Sequence, residues 1–156
     1  MAAADRAFVL LDRLSIRAWE RVLFVECRGG RLAEEAWRRM ARGYVCGVDR
    51  SRRLIATARR LRGVPGKLEF EVWDGRSIPC RDQWFDHVIC DPRLRDHPEP
   101  EALRTELRRV TRPGGRIYLL AAEPAGSVER DFGGGQRSAD AMPGARPASS
   151  LEILVA

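Results

Sequence analysis

Asp49, Asp74 and Asp91 each close a short apolar stretch, and the pair Gly29-Gly30 follows another. Carboxylates at the ends of neighbouring strands can accept hydrogen bonds from paired hydroxyls or amino groups. A glycine turn between a strand and a helix lets a ligand approach the backbone and the free N–H groups of the helix. The segment Arg21 to Asp49, RVLFVECRGGRLAEEAWRRMARGYVCGVD, combines both features as strand, glycine turn, helix, strand and acid. An acid closing the second strand of such a unit is placed to bind ribose hydroxyls. Helix capping or pairing with an arginine is the structural alternative for each aspartate taken singly. Three acids in one crescent beside a glycine turn favour a ligand cleft.

The elements that must position these residues are legible along the chain. Residues 2–15 place Phe8, Leu11, Leu14 and Ile16 near helical spacing, which predicts an amphipathic helix packed on a sheet. Arg21 to Glu26 reads as a first strand, Arg31 to Arg42 as a helix capped by Gly43, and Tyr44 to Val48 as a second strand. Ser51 is a candidate N-cap for a helix with Leu54, Ile55, Ala58 and Leu61 on one face. Lys67 to Trp73 alternates as an edge strand does. Phe85 to Cys90 is a fourth strand. Residues 98–110 form a helix burying Ala102, Leu103, Leu107 and Val110, with Pro98 and Pro100 at its entrance. Pro113-Gly114-Gly115 is a tight turn before a fifth strand, Arg116 to Ala122. Residues 123–150 are rich in Gly, Pro, Ala and Ser and read as a mobile lid or disordered segment. Leu151 to Val155 is a terminal strand. The pattern gives a three-layer α/β domain, 1–156, with a mostly parallel sheet of six strands, the last one a candidate for antiparallel pairing.

Composition bounds the partners. The 156 residues carry a net charge of +6, with a pI near 9.9, a balance that favours an acidic partner such as RNA. Of 28 basic residues only Lys67 is lysine, and the arginines run the whole length of the chain, which reads as a compositional bias more than as a binding face. Cys27, Cys46, Cys80 and Cys90 form no C-x-x-C pair and no metal spacing with His87 or His97, so no metal site is expected. Reduced thiols beside apolar runs fit a cytoplasmic protein. No signal peptide or membrane span is expected.

The ordered motifs VLFVECRGGRLAEEA, VCGVDRS, FEVWDGRSIP, WFDHVICD and LRTELRRVTRPGGRIYLL resemble class I S-adenosylmethionine-dependent methyltransferases, over about Arg21 to Ala122. The helix leading into Pro113-Gly114-Gly115 argues against an ordinary dinucleotide-binding domain. The resemblance implies a Rossmann-like methyltransferase fold with an abbreviated C-terminal part, S-adenosylmethionine as cofactor, and methyl transfer to a small molecule or RNA. It further implies that Asp49 binds the ribose hydroxyls and Asp74 the adenine amino group. Gly29 and Gly30 would border the methionine part, while Arg50, Gly75 and Cys90 line the adenosine. Asp91-Pro92 resembles the start of an amino-group methyltransferase motif that Arg93 and Leu94 do not complete. Asp91 and His97 are the candidate catalytic groups, although a lone loop histidine is more often a surface residue, and His87 reads as a satisfied core histidine.

The first turn departs from the family pattern. Phe24 stands where an acid is expected, and Glu26 and Arg28 stand where the first two of three alternating glycines belong; Gly30 matches the third. Side chains there are expected to project into the space of the cofactor's amino-acid moiety, and a non-glycine residue resists positive φ. Two readings stay open. Glu26 receives the cofactor's ammonium while Arg28 pairs with its carboxylate, or Glu26 and Arg28 pair with each other across an empty cleft in a non-catalytic relative that acts as a binding or scaffold module. An exposed sheet edge would offer a surface for a homodimer or protein partner.

Overall fold

The computed structural model describes residues 9, 11–120 and 152–155. Six strands form one sheet: β1 (Arg21–Val25), β2 (Tyr44–Asp49), β3 (Leu68–Val72), β4 (Phe85–Cys90), β5 (Thr111–Leu119) and β6 (Glu152–Val155). Their order is β3-β2-β1-β4-β5-β6, so the chain winds outward from β1 in one direction and then returns to wind outward in the other. The strand order reverses between β1 and β4, where an open α/β sheet offers a crevice at the carboxyl ends of its strands. β1 to β5 are parallel, and β6 runs antiparallel to β5. Residues Val22 to Val25 of β1 are all buried, as continuous apolar runs must be when both sheet faces are covered.

Helices α1 (Arg31–Arg38) and α2 (Arg52–Arg62) cover one face, and α3 (Pro100–Val110) covers the other. Ala33 and Ala36 of α1 and Ile55 and Ala58 of α2 meet Val22, Phe24, Val45 and Phe70. On the opposite face Leu103, Leu107 and Val110 of α3 join Leu23, Val25, Val48 and Val88. The β3–β4 crossover carries no helix; Trp73 and Ile78 from the connecting loop seal the sheet there, each 1% exposed. Glu106 and Arg109 of α3 hold that loop through the Ile78 N–H and the carbonyls of Ile78 and Cys80. The expected core histidine is present. His87 lies buried between Glu20, 2.7 Å from Nε2, and the Tyr118 hydroxyl, 3.2 Å from Nδ1.

Several expectations need correction. α1 stops at Arg38, because the chain tightens with the Met40 N–H donating to the Trp37 carbonyl. Gly43 caps nothing: a side chain there would meet Met40 and the Glu20 carbonyl, so glycine permits a close approach. Leu54 and Leu61 face outward, at 37% and 60% exposure, and Ala102 is exposed, since short helices on a sheet bury only a narrow stripe. Pro113-Gly114-Gly115 lies inside β5, which begins at Thr111; the register with β4 shifts between Phe85 and His87 to absorb it. Most of the helix expected over residues 2–15 lies outside the described residues, though 11–13 are helical and Leu11 and Leu14 join the core. The segment 123–150 also lies outside them. No helix among the described residues is long and apolar enough to cross a membrane.

Gly30, the N-cap of α1, has φ 75°, and a Cβ there would sit 2.4 Å from the Phe70 ring. Gly114 has φ 76° with open space around it. Gly30→Ala should therefore cost about 2 kcal/mol or more, left-handed strain plus overpacking, and Gly114→Ala about 1 kcal/mol from strain alone. Denaturant melts measure the two; equal losses would contradict the close packing at Gly30.

Candidate functional site

The sheet brings the tips of β3, β2, β1 and β4 side by side, in that order, with Asp74, Asp49, Glu26 and Asp91 at or just beyond their carboxyl ends. Asp49 closes β2 and is only 3% exposed. One carboxylate oxygen accepts the Ser51 N–H and the other the Arg28 N–H, both at 2.8 Å. A carboxylate offers about four lone-pair positions, so these bonds satisfy the buried charge and leave capacity for two further donors. Ser51 in turn caps α2 by accepting the Leu54 N–H. Asp49 thus ties the turn after β1 to the turn after β2.

The turn after β1 keeps left-handed backbone at three alternate positions, with φ 59° at Glu26, 55° at Arg28 and 75° at Gly30. The expected resistance to positive φ is overcome at both non-glycine residues, at a cost on the order of 1 kcal/mol each. Hydrogen bonds from the Cys27 N–H to Val48 and from the Arg28 N–H to Asp49 hold the conformation. The Cys27 thiol is pushed up to about 12 by burial and by the nearby Asp49 and Glu26 charges, so it is no nucleophile.

The side chains of this turn do not pair with each other, contrary to the second sequence reading. Glu26 points inward, 4% exposed, and receives Arg50 Nε at 2.6 Å, with Arg93 at 3.6 Å. Arg28 points outward and reaches Asp91 at 3.2 Å, while Arg93 holds the other oxygen of Asp91 at 2.9 Å. The result is one alternating chain, Arg50, Glu26, Arg93, Asp91, Arg28, across the tips of β2, β1 and β4. The sequence showed Arg93 only as a departure from a motif, and its ion-pairing role was missed; its position two residues after Asp91, in reach of an Asx turn, was the available signal.

The remaining candidates divide. Asp74 is exposed, and one of its oxygens accepts the Arg76 and Ser77 N–H groups at 2.8 Å. Those two bonds hold its carboxyl below the usual range, so it stays ionised. Gly75, with φ 89°, packs against the Arg50 side chain, which brings those two together. Gly29 is half-buried with open space at its Cα. Cys90 is fully buried in the central strand β4, at its carboxyl end. His97 is half-buried rather than a solvated loop residue. Its Nε2 donates to the Gly75 carbonyl at 2.9 Å, its Nδ1 accepts the Glu99 N–H at 3.1 Å, and its ring stacks on Trp73. Asp91 caps a 3-10 helix (Pro92–Asp96) and is bonded by two arginines. Both candidate bases are held by neighbours in this arrangement, Asp91 by Arg28 and Arg93 and His97 between the Gly75 carbonyl and the Glu99 N–H.

Residues 23–119 match the family model described as a methyltransferase domain. The methyltransferase GfsG of Streptomyces halstedii is 30% identical over 124 residues, 77% of this chain and 44% of that protein. Among solved structures, the cyclase SpnF aligns with 30% identity and a TM-score of 0.67, covering 76% of this chain and 45% of that one. An S-adenosylmethionine-dependent methyltransferase from Aquifex aeolicus aligns at 20% identity with a TM-score of 0.67, covering 82% of this chain and 68% of that one, a likeness of fold. The chain spans less than half the length of GfsG.

Arg28→Gly and Arg28→Ala both delete the exposed ion pair with Asp91 and differ only in backbone preference. The glycine variant should be more stable by about 1 kcal/mol, read from chemical denaturation, because alanine retains the left-handed strain. Equal stabilities would contradict a positive φ at position 28.

Proposed function

The chain belongs to the methyltransferase-domain family of class I S-adenosylmethionine-dependent methyltransferases, and from that premise we propose that it binds S-adenosylmethionine at the strand tips and transfers its methyl group to a small molecule or an RNA. The observation that carries the reading is Asp49. A buried carboxylate bonded once at each oxygen, at the tip of β2 beside the strand-order reversal, has acceptor capacity left for the two ribose hydroxyls.

The residues present fit the nucleoside half of the cofactor. Asp74 keeps one oxygen without a partner among the described residues and would take the adenine amino group. Gly75 and Arg50 would line the adenosine, and Gly29 and Gly30 would border the methionine part. The left-handed backbone at positions 26, 28 and 30 preserves the course of the hinge even though two glycines are replaced. At the amino-acid half the fit requires exchange. Glu26 would release Arg50 or Arg93 to receive an ammonium, and Arg28 would release Asp91 to receive a carboxylate. Each step trades one ion pair for another and leaves no buried charge alone. When bound, the cofactor supplies a methyl group already activated on a sulfonium. The chain's own residues then hold that end of the ligand, exclude water and align an incoming nucleophile, for which positioning is the main contribution. Asp91 and His97 are engaged in structural bonds, so the reading assigns proton removal to no residue here.

Four cysteines remain thiols, which supports a reducing, cytoplasmic setting. The edge position of β3 supports a second copy or a protein partner adding there. Titration calorimetry with S-adenosylmethionine and S-adenosylhomocysteine tests the cofactor. The wild-type chain should give saturable heat, and Asp49→Ala should weaken binding roughly tenfold or more through loss of a charge-assisted bidentate contact. Absence of heat from the wild-type chain with both ligands would remove the enzyme reading and leave the non-catalytic binding module.

A further inference from the structure

The amino ends of the strands, at the opposite pole of the sheet from Asp49, carry a second concentration of chemistry. A tight turn closed by the Glu20 N–H on the Arg17 carbonyl displays Trp19, which is 66% exposed. The Arg17 guanidinium lies 6.0 Å from the Trp19 ring centre. Two residues on, Arg21 opens β1 and lays its guanidinium 3.7 Å over the ring of Trp84, which leads into β4; Arg81 approaches the same ring at 5.3 Å. The backbone N–H of Arg42 is bonded to the Ala18 carbonyl beside Trp19, which brings that residue's backbone to the same pole. The strip therefore reads Arg, Trp, Arg, Trp, Arg across the ends of two neighbouring strands.

Positive charge outweighs paired negative charge along this strip among the described residues, although the Glu20 carboxylate is close enough to feel Arg17. Glu20 is engaged by His87 and the Arg17 N–H, Asp86 by Arg112 and the Arg21 N–H, and Asp82 by Arg109. Arg17, Arg21, Arg42 and Arg81 form no ion pair with a carboxylate among the described residues. Two guanidinium groups converging on one indole repel each other, and the ring's quadrupole offsets part of that repulsion. A row of phosphates would neutralise them, while the open Trp19 face and the flat guanidinium groups would receive bases by stacking.

We infer that this pole of the sheet is a binding surface for single-stranded nucleic acid, with Trp19 as the stacking platform and Arg17, Arg21, Arg42 and Arg81 tracking the backbone. The surface lies roughly 17–20 Å from the strand tips, the length of strands of this size, and does not depend on cofactor binding there. An acidic protein segment could neutralise the arginines but would make little use of an exposed indole, and that difference decides the test. Fluorescence anisotropy with labelled oligouridylate and oligothymidylate, at low and at raised salt, measures the binding. The wild-type chain should bind at least one oligomer with affinity that falls as salt rises. Trp19→Ala should weaken binding roughly fivefold or more, and the double variant Arg21→Gln, Arg81→Gln should reduce the salt slope by about two. Arg52→Gln, on the far α2 surface, should leave binding unchanged, and circular dichroism checks that each variant is folded. No binding of either oligomer at low salt, undiminished binding by a folded Trp19→Ala chain, or displacement of the oligomer by polyglutamate as readily as by unlabelled oligomer would overturn the assignment.

Discussion

Two backbone amides from different turns converge on the carboxylate of Asp49, and the carboxyl-end pole of the sheet is shaped by that convergence. A buried acid is costly unless it is bonded, and bonds to an ionised group are among the stronger ones a protein makes. The Arg28 N–H can reach this oxygen only if the chain after β1 turns back on itself through left-handed backbone at Glu26 and Arg28. That requirement fixes where both side chains point. Glu26 is directed in, toward Arg50 and Arg93, and Arg28 out, toward Asp91. The ion-pair chain across the three strand tips is thus a consequence of how one carboxylate is satisfied.

The parts of this arrangement that the sequence disclosed are those determined locally. β1 and β2 centre on apolar runs and β4 ends on one, each followed by an acid, so their positions were readable, and Ser51 announced the cap of α2. Asp49, Asp74 and Asp91 were recognisable as strand-end acids for the same reason. What remained hidden depends on residues far apart in the chain. Nothing near Glu26 indicates Arg50 or Arg93 as its partner, and adjacency of Glu26 and Arg28 suggested a pair that the alternating backbone directs apart. His97 looked like a solvated loop residue because its partners, the Gly75 carbonyl and the Trp73 ring, lie on another connection. Pro113-Gly114-Gly115 looked like a turn; the register shift that carries it within β5 is set by pairing with β4, which no local pattern records.

The two poles of the sheet solve opposite electrostatic problems with the same residue type. At the carboxyl ends, arginines are interleaved with Glu26 and Asp91, so each charge there has an opposite neighbour. At the amino ends, the acids are withdrawn into hydrogen bonds with backbone amides, His87, Arg109 and Arg112, and the arginines stand on aromatic rings. Among the described residues, an arginine-rich composition that looked uniform along the chain is therefore sorted by the fold into one set interleaved with carboxylates and another set against aromatic rings.

Amide hydrogen exchange at Arg28 and Ser51, resolved by NMR, addresses the role of Asp49 most directly. Both amides should be protected in the chain without ligand, and Asp49→Ala should free both together while β4 keeps its protection. Rapid exchange at these two amides in the unsubstituted chain, or protection that survives Asp49→Ala, would contradict that role.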